Sequence, residues 1–130
     1  KEGVERASVD SICREADFIT LHTALTEETR GLIHTERLAS MKKSAVLVNT
    51  ARGELVDEAA LLAALREGRL YGAGLDVFEQ EPPTDPAWYQ LDNLVMGSHC
   101  SSSTAGATAA MGHMAVDNLL RDLGLEALAE

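Results

Sequence analysis

Ala45-Val46-Leu47-Val48-Asn49-Thr50-Ala51-Arg52-Gly53 is the stretch that decides how this chain is built. An unbroken apolar run ends in an asparagine, and a polar tip with a glycine follows. A run this short, bounded by turn-forming residues, reads as a strand buried on both faces, as the strands of a parallel sheet are. Parallel neighbours need a crossover, and the next residues supply one. Asp57 stands as an N-cap, Leu61, Leu62 and Leu65 recur at helical spacing, and Gly68 stops the helix. Gly72-Ala73-Gly74-Leu75-Asp76-Val77-Phe78 is then the next strand, its glycines pointing to close approach of a neighbouring backbone or a ligand.

The same alternation extends in both directions. Upstream, Asp17-Phe18-Ile19-Thr20-Leu21-His22 has the β-branched and aromatic content of a strand. A polar loop, Thr23 to Gly31, joins it to a helix over Glu36 to Met41 that Thr35 caps. Further upstream, Ser8 caps a short helix through Ala16, preceded by a weak strand at Val4 to Ala7. Downstream, Glu79 to Tyr89 holds all three prolines and is a loop, and Asn93 to Ser98 is the last strand. A long helix follows with Met111, Ala115, Leu119, Leu120 and Leu123 on one stripe, a core or interface face. Strand–helix alternation of this kind predicts an α/β fold: a parallel sheet with flanking helices.

Composition narrows the function. Among 130 residues, 11 are Lys or Arg and 21 are Asp or Glu, a formal charge of −10. That balance disfavours nucleic acid, whose phosphates demand clustered cations, and an anionic membrane surface. Hydrophobic residues make up 45%, enough for a packed core and too many for disorder. No apolar run approaches the ~20 residues that cross a bilayer. The charged start, Lys1 to Asp10, reads as neither a signal nor a transit peptide. Cys13 and Cys100 are too few for a disulfide framework and fit a reducing, cytoplasmic setting. His22, His34, His99 and His113 lack metal-ligand spacing, so no metal is expected.

Right-handed crossovers put the C-terminal ends of all parallel strands on one edge, where α/β sheets bind ligands. Here that edge carries His22, Thr50-Ala51-Arg52, Asp76 and His99. Arg52 suits a planar carboxylate held through two parallel hydrogen bonds, or a structural ion pair with an acidic neighbour. His99 suits proton transfer near neutral pH, or a half-buried histidine with a backbone partner. Glu81 is either a carboxylate that favours and orients a charged imidazole, or a solvated loop acid. Asp76 accepts from a ligand amide or hydroxyl, or anchors a loop. The run Ser101-Ser102-Ser103-Thr104 offers hydroxyls and helix-start N–H groups to a polar ligand, or simply caps the last helix. Cys100 beside His99 raises a Cys/His pair, but neighbours on a strand face opposite ways, and a small buried cysteine is the expectation.

Several segments together carry a family resemblance. Val48-Asn49-Thr50-Ala51-Arg52-Gly53-Glu54-Leu55-Val56-Asp57-Glu58 resembles the V-N-x-A-R-G-x-x-V-D-E segment of the D-isomer-specific 2-hydroxyacid dehydrogenases. Gly72 to Pro83 resembles their G-A-x-L-D-V-F-x-x-E-P, and Leu21 to Gly31 their H-x-P-L-T-x-x-T-x-G. Ser98-His99-Cys100-Ser101-Ser102-Ser103-Thr104 stands where the family has P-H-x-G followed by small polar residues. Within the family, the Glu81-Pro82-Pro83 loop is most similar to D-3-phosphoglycerate dehydrogenase. Two departures are plain: Ala24 replaces a proline, which removes a rigid φ, and serines replace the proline and glycine around His99.

The resemblance implies an NAD-dependent hydride transfer at C2 of a small 2-oxo or 2-hydroxy acid. Arg52 would hold the substrate carboxylate, His99 would be the general acid/base, and Glu81 would orient His99 and raise its pKa. Asp76 would lie near the nicotinamide amide. Thr23, Thr50, Ala51 and Arg52 would contact the cofactor, as would the main chain of His99, Cys100, Ser101 and Ser102. The family's G-x-G-x-x-G turn is not among these residues. Residues 1–130 therefore read as the second half of a Rossmann-type NAD-binding domain with the start of the closing helix. Such a half by itself is expected to be inactive or very weak, and to expose the strand at residues 17–22 as an edge that pairs in a homo-oligomer. The competing expectations are a corepressor-like binding module and a half-domain that folds and binds nothing.

Overall fold

Parallel pairing runs through the whole sheet. In the computed structural model, which describes residues 3–100 and 102–125, four strands lie side by side in sequence order. They are β1 (Phe18–Leu21), β2 (Val46–Asn49), β3 (Gly72–Leu75) and β4 (Leu94–Met96). The register sets Leu21 beside Asn49, Asn49 beside Leu75 and Leu75 beside Met96. The last residues of all four strands thus form one row, and whatever follows each strand emerges at the same edge.

Three helices connect the strands: α1 (Val9–Glu15) leads into β1, α2 (Thr35–Ser40) lies between β1 and β2, and α3 (Glu58–Arg66) between β2 and β3. Side-chain period two explains where they pack. Ile19, Leu21, Leu47, Ala73 and Leu75 point to one face and form a single core with Cys13 of α1, Leu38 of α2, and Leu61, Ala64 and Leu65 of α3. Phe18, Thr20, Val46, Val48 and Val95 occupy the other face, where Phe18 and Val95 are 78% and 74% exposed. Ser8 caps α1 by accepting from Ser11 N at 3.1 Å, and Asp57 caps α3 by accepting from Ala60 N at 2.9 Å, both as expected. Arg37 ties α2 to α1, donating from Nε to Asp10 Oδ1 at 2.7 Å and from Nη1 to Leu32 O at 2.6 Å.

Four expectations are corrected. Val4 to Ala7 is not a strand; Val4 is exposed and the segment pairs with nothing in the sheet. His34, not Thr35, is the N-cap of α2, and Thr35 opens the helix with its hydroxyl turned to Asp57 Oδ2. β3 ends at Leu75 rather than Phe78, because Val77 and Phe78 leave the sheet and bury their side chains in its flank. The proline-rich loop holds a short 3₁₀ helix, Pro86–Gln90, started by Asp85 accepting from Ala87 N and by proline at its first turn. It seats Trp88 edge-on against Phe78, with ring centroids 5.6 Å apart.

The chain forms two compact units, Lys1–Ser98 and His99–Glu130, and the sheet belongs to the first. The second contains α4 (Ala105–Asp122), whose N-cap Thr104 accepts from Ala107 N at 3.1 Å. Its stripe is largely exposed, with Met111, Leu119 and Leu123 all open to solvent. No helix of the described residues is long and apolar enough to cross a membrane.

Leu47 sits at the centre of the core and is fully buried. Leu47→Ala should cost about 2–5 kcal/mol, the range for emptying a well-packed aliphatic site. Urea unfolding of the two chains checks this, and a loss below about 1 kcal/mol would mean that the site collapses around the smaller side chain.

Candidate active site

The row of strand ends builds the site. One step past it come His22, Thr50, Asp76 and Gly97. Beyond β1 and β2 lies an open cavity of ≈ 500 Å³ lined by His22, Thr23, Ala24, Leu25, Thr50, Ala51 and Arg52. Three of the expected cofactor contacts, Thr23, Thr50 and Ala51, and the expected substrate-binding Arg52 therefore share one cavity. Thr20 Oγ1 and His22 Nε2 lie 2.9 Å apart, which ties the His22 ring to its own strand. The loop with Ala24 in place of proline is held by other means: Thr29 Oγ1 donates to Ala24 O at 2.8 Å and accepts from Thr26 N at 2.7 Å.

Asn49 shapes the Arg52 turn, and only its place at the end of a strand had drawn notice. It is 1% exposed. Its Oδ1 accepts from Ala51 N at 3.1 Å and its Nδ2 donates to Arg52 O at 2.7 Å. One buried amide thus satisfies two backbone groups of the turn, an Asx-type clamp. The Arg52 side chain stays exposed, donating from Nη1 to Ala51 O at 2.6 Å. Among the described residues no carboxylate forms an ion pair with it, so the structural ion-pair alternative finds no support.

Gly53 follows directly. A Cβ there would overlap the backbone of Phe78 and Glu79, so the Arg52 turn and the segment after β3 meet backbone to backbone. That segment carries Glu81, whose Oε1 accepts from Phe78 N at 3.0 Å. Asp76 has a similar neighbour: a Cβ on Gly97 would fall on its carboxylate, and the register explains why, since these two residues stand abreast past β3 and β4. Gly97 N also donates to Leu75 O at 2.7 Å. Glycine-for-carboxylate packing of this sort leaves no sign in local sequence, beyond a glycine where a strand should end.

Glu58 is the other residue that sequence reading passed over. From the first turn of α3 its Oε1 accepts from Glu79 N at 2.7 Å. Burial pushes its carboxyl above the ordinary value of 4.5; the Glu79 N–H opposes this, and the charges of Glu79, Glu54 and Glu81 add to the rise.

His99, Cys100 and Ser102 fall in the second unit, and Ser101 lies outside the described residues. His99 has φ of 52°, the one positive value among described non-glycine residues. Backbone held in this region costs of order 1–3 kcal/mol and concentrates at functional sites. Cys100 is exposed, which corrects the expected buried thiol: β4 stops at Met96, so strand alternation no longer governs residues 99 and 100. Ser102 precedes α4 and Thr104, not the serines, is its cap. Among the described residues no group of His, Cys, Asp and Glu is placed to hold a metal ion.

An α/β sheet with polar and cationic groups gathered at its C-terminal edge defines a nucleotide-cofactor type of site. Residues 1–101 match the family described as D-isomer specific 2-hydroxyacid dehydrogenase, NAD binding domain, and the chain belongs to that family. It is 46% identical over 119 residues to a glyoxylate reductase of Korarchaeum cryptofilum, covering 91% of this chain and 36% of that protein. It is also 46% identical over 122 residues to a D-3-phosphoglycerate dehydrogenase of Methanocaldococcus jannaschii, covering 93% of this chain and 23% of that one. The NAD-complexed D-isomer specific 2-hydroxyacid dehydrogenase of Lactobacillus delbrueckii ssp. bulgaricus superposes with a TM-score of 0.76 at 34% identity, over 92% of this chain and 40% of that chain. The chain thus spans well under half the length of these relatives.

Two predictions follow from this geometry. Asn49→Ala removes partners from Ala51 N and Arg52 O and should cost about 1–3 kcal/mol, read by urea unfolding. Glu58 holds its proton more tightly in the folded chain than in the unfolded one. Its contribution therefore favours folding in acid and fades as pH rises from 4.5 through the folded-state value. Glu58→Gln keeps an oxygen for Glu79 N–H and drops the charge. It should match or exceed the parent's stability near neutral pH and lose that advantage below 4.5, checked by unfolding midpoints across pH.

Proposed function

We propose that this chain supplies the second half of the cofactor domain of a dehydrogenase that interconverts a small 2-oxo acid and its D-2-hydroxy acid with NAD. The observation that carries the reading is the shared cavity at the sheet edge, lined by Thr23, Thr50 and an Arg52 whose guanidinium forms no ion pair with a carboxylate among the described residues. Hydroxyl and backbone donors fit the ribose and amide groups of a nicotinamide nucleotide. Gly53 brings the Arg52 turn and the Glu81 segment together, backbone against backbone.

When bound, the cofactor supplies the hydride. The chain's own residues do the rest. Arg52 holds the substrate carboxylate through its fork of N–H donors. His99 gives a proton from its ring to the carbonyl oxygen during reduction and takes it back in the reverse direction. Glu81, as its acid partner, favours the charged imidazole and fixes its orientation. Thr23, Thr50, Ala51, Asp76 and the main chain of His99, Cys100, Ser101 and Ser102 orient the cofactor. The substrate class is that of glyoxylate and 3-phosphoglycerate, with the Glu81-Pro82-Pro83 loop favouring the phosphorylated acid. The cellular setting is the cytoplasm. The open edge of β1, with Phe18 exposed beside it, pairs with a second copy of the chain.

Joining these residues to the first half and substrate domain of a relative should give turnover of 2-oxo acids followed by loss of NADH absorbance. His99→Ala should then lower the rate ~10²–10⁴-fold, the span of a general acid/base, with NADH affinity nearly unchanged. Unchanged turnover would remove His99 from its role, and NADH binding without turnover would favour a cofactor-sensing module. Light scattering of the 130-residue chain checks the edge pairing, which a monomer would refute.

A further inference from the structure

The chain from Phe78 to Glu79 is held from three sides. Phe78 N donates to Glu81 Oε1 at 3.0 Å, Glu79 N donates to Glu58 Oε1 at 2.7 Å, and Gly53 lies against the carbonyl between them. Glu58 makes its bond across 21 residues of sequence, from the first turn of α3. A carboxylate there is costly, first because burial takes it from water and then because of the like charges of Glu79, Glu54 and Glu81. The start of α3 offsets part of that cost, because a helix N-terminus favours negative charge. A charged acceptor also binds a backbone N–H more strongly than a neutral one.

We propose that Glu58 is a positioning residue: by taking the Glu79 N–H it fixes the turn from Phe78 to Glu81 and so sets the direction of the Glu81 carboxylate. This deepens the reading of Glu81 as the acid partner and rests on it. The physical link is short. Glu81 reaches back three residues to Phe78 N, and the chain between them passes through the 78–79 peptide, so the turn of that peptide sets where the Glu81 side chain starts. Gly53 blocks one side of that peptide but donates no bond to it. Without Glu58, the 78–79 peptide loses its hydrogen bond to α3, and the Phe78–Glu81 bond loses its fixed base. The contrasting reading makes Glu58 an ordinary first-turn acid that stabilises α3 alone.

Amide hydrogen exchange by NMR on the 130-residue chain separates the two. Glu58→Ala should speed exchange at Glu79 about tenfold, the factor expected for losing one charge-assisted bond, and also speed it at Phe78. Amides of Leu61 to Leu65 in α3 should change little. Glu58→Asp keeps the helix-start charge but falls one methylene short, and should loosen the same two amides. Glu58→Gln should restore both, since its oxygen reaches Glu79 N. Unchanged exchange at Phe78 and Glu79 in the Ala and Asp variants overturns the proposal, and so does equal loosening of α3 and the turn. NADH titration of the same substitutions in the chain joined to a relative's first half and substrate domain reports separately on the cofactor reading. A loosened turn in a chain that binds no NADH supports the anchor and counts against the dehydrogenase reading. An unmoved turn in a chain that binds NADH does the reverse.

Discussion

A side chain at position 53 would occupy the space through which the backbone of Phe78 and Glu79 passes. Much of the site depends on that single contact. The Arg52 turn leaves β2 and the Glu81 segment leaves β3, and parallel strands about 5 Å apart deliver both to the same edge. Two loops arriving that close must either diverge or touch, and touching requires one of them to have no Cβ. Glycine at 53 allows it. Asn49 then fixes the turn from beneath, and Glu58 holds the opposing segment from the start of α3.

The energetics divide between one face of the sheet and its C-terminal edge. One face is stabilised by aliphatic burial, with Leu47, Leu61, Leu38 and Leu55 among the most enclosed side chains. That burial is non-directional and scales with area. The edge is held by directional bonds instead: buried amide to backbone, carboxylate to N–H, hydroxyl to carbonyl. Such bonds add little net stability each but specify geometry, because leaving a buried partner unmet costs more than the bond returns. A binding site needs that second property. Its residues must point in set directions while remaining exposed, as Arg52 and Glu81 do.

The order of elements was legible in the sequence because each carries a local signal. A continuous apolar run marked β2, β-branched and aromatic content marked β1, and Ser8, Asp57 and the polar run that ends at Thr104 marked helix starts that the structure bears out. Where local signals were weak or shared, the reading slipped. Val4 to Ala7 has strand-forming content but no neighbour to pair with. Thr35 is a good cap residue, yet His34 takes the cap because the segment from Gly31 to Ile33 is already pinned to residues 54–57 by backbone bonds. Val77 and Phe78 look like strand, but both leave the sheet with their side chains buried, Phe78 edge-on to Trp88.

What the sequence alone determined is the set of chemical groups and their delivery to one edge. Period and punctuation fix the strands, and parallel crossovers fix the edge, so His22, Thr50, Arg52, Asp76 and His99 could be nominated before any coordinate was seen, while Thr23 and the role of Glu81 came from the family resemblance. What only the tertiary structure decided is which groups are spent on holding others. Asn49, Gly53, Glu58 and Gly97 act across distances in sequence that no local pattern encodes. Register places Gly97 beside Asp76, and folding places the start of α3 beside the turn after β3. Those contacts arise when separate segments are packed together, so their cause lies in the packing and not in the segments themselves.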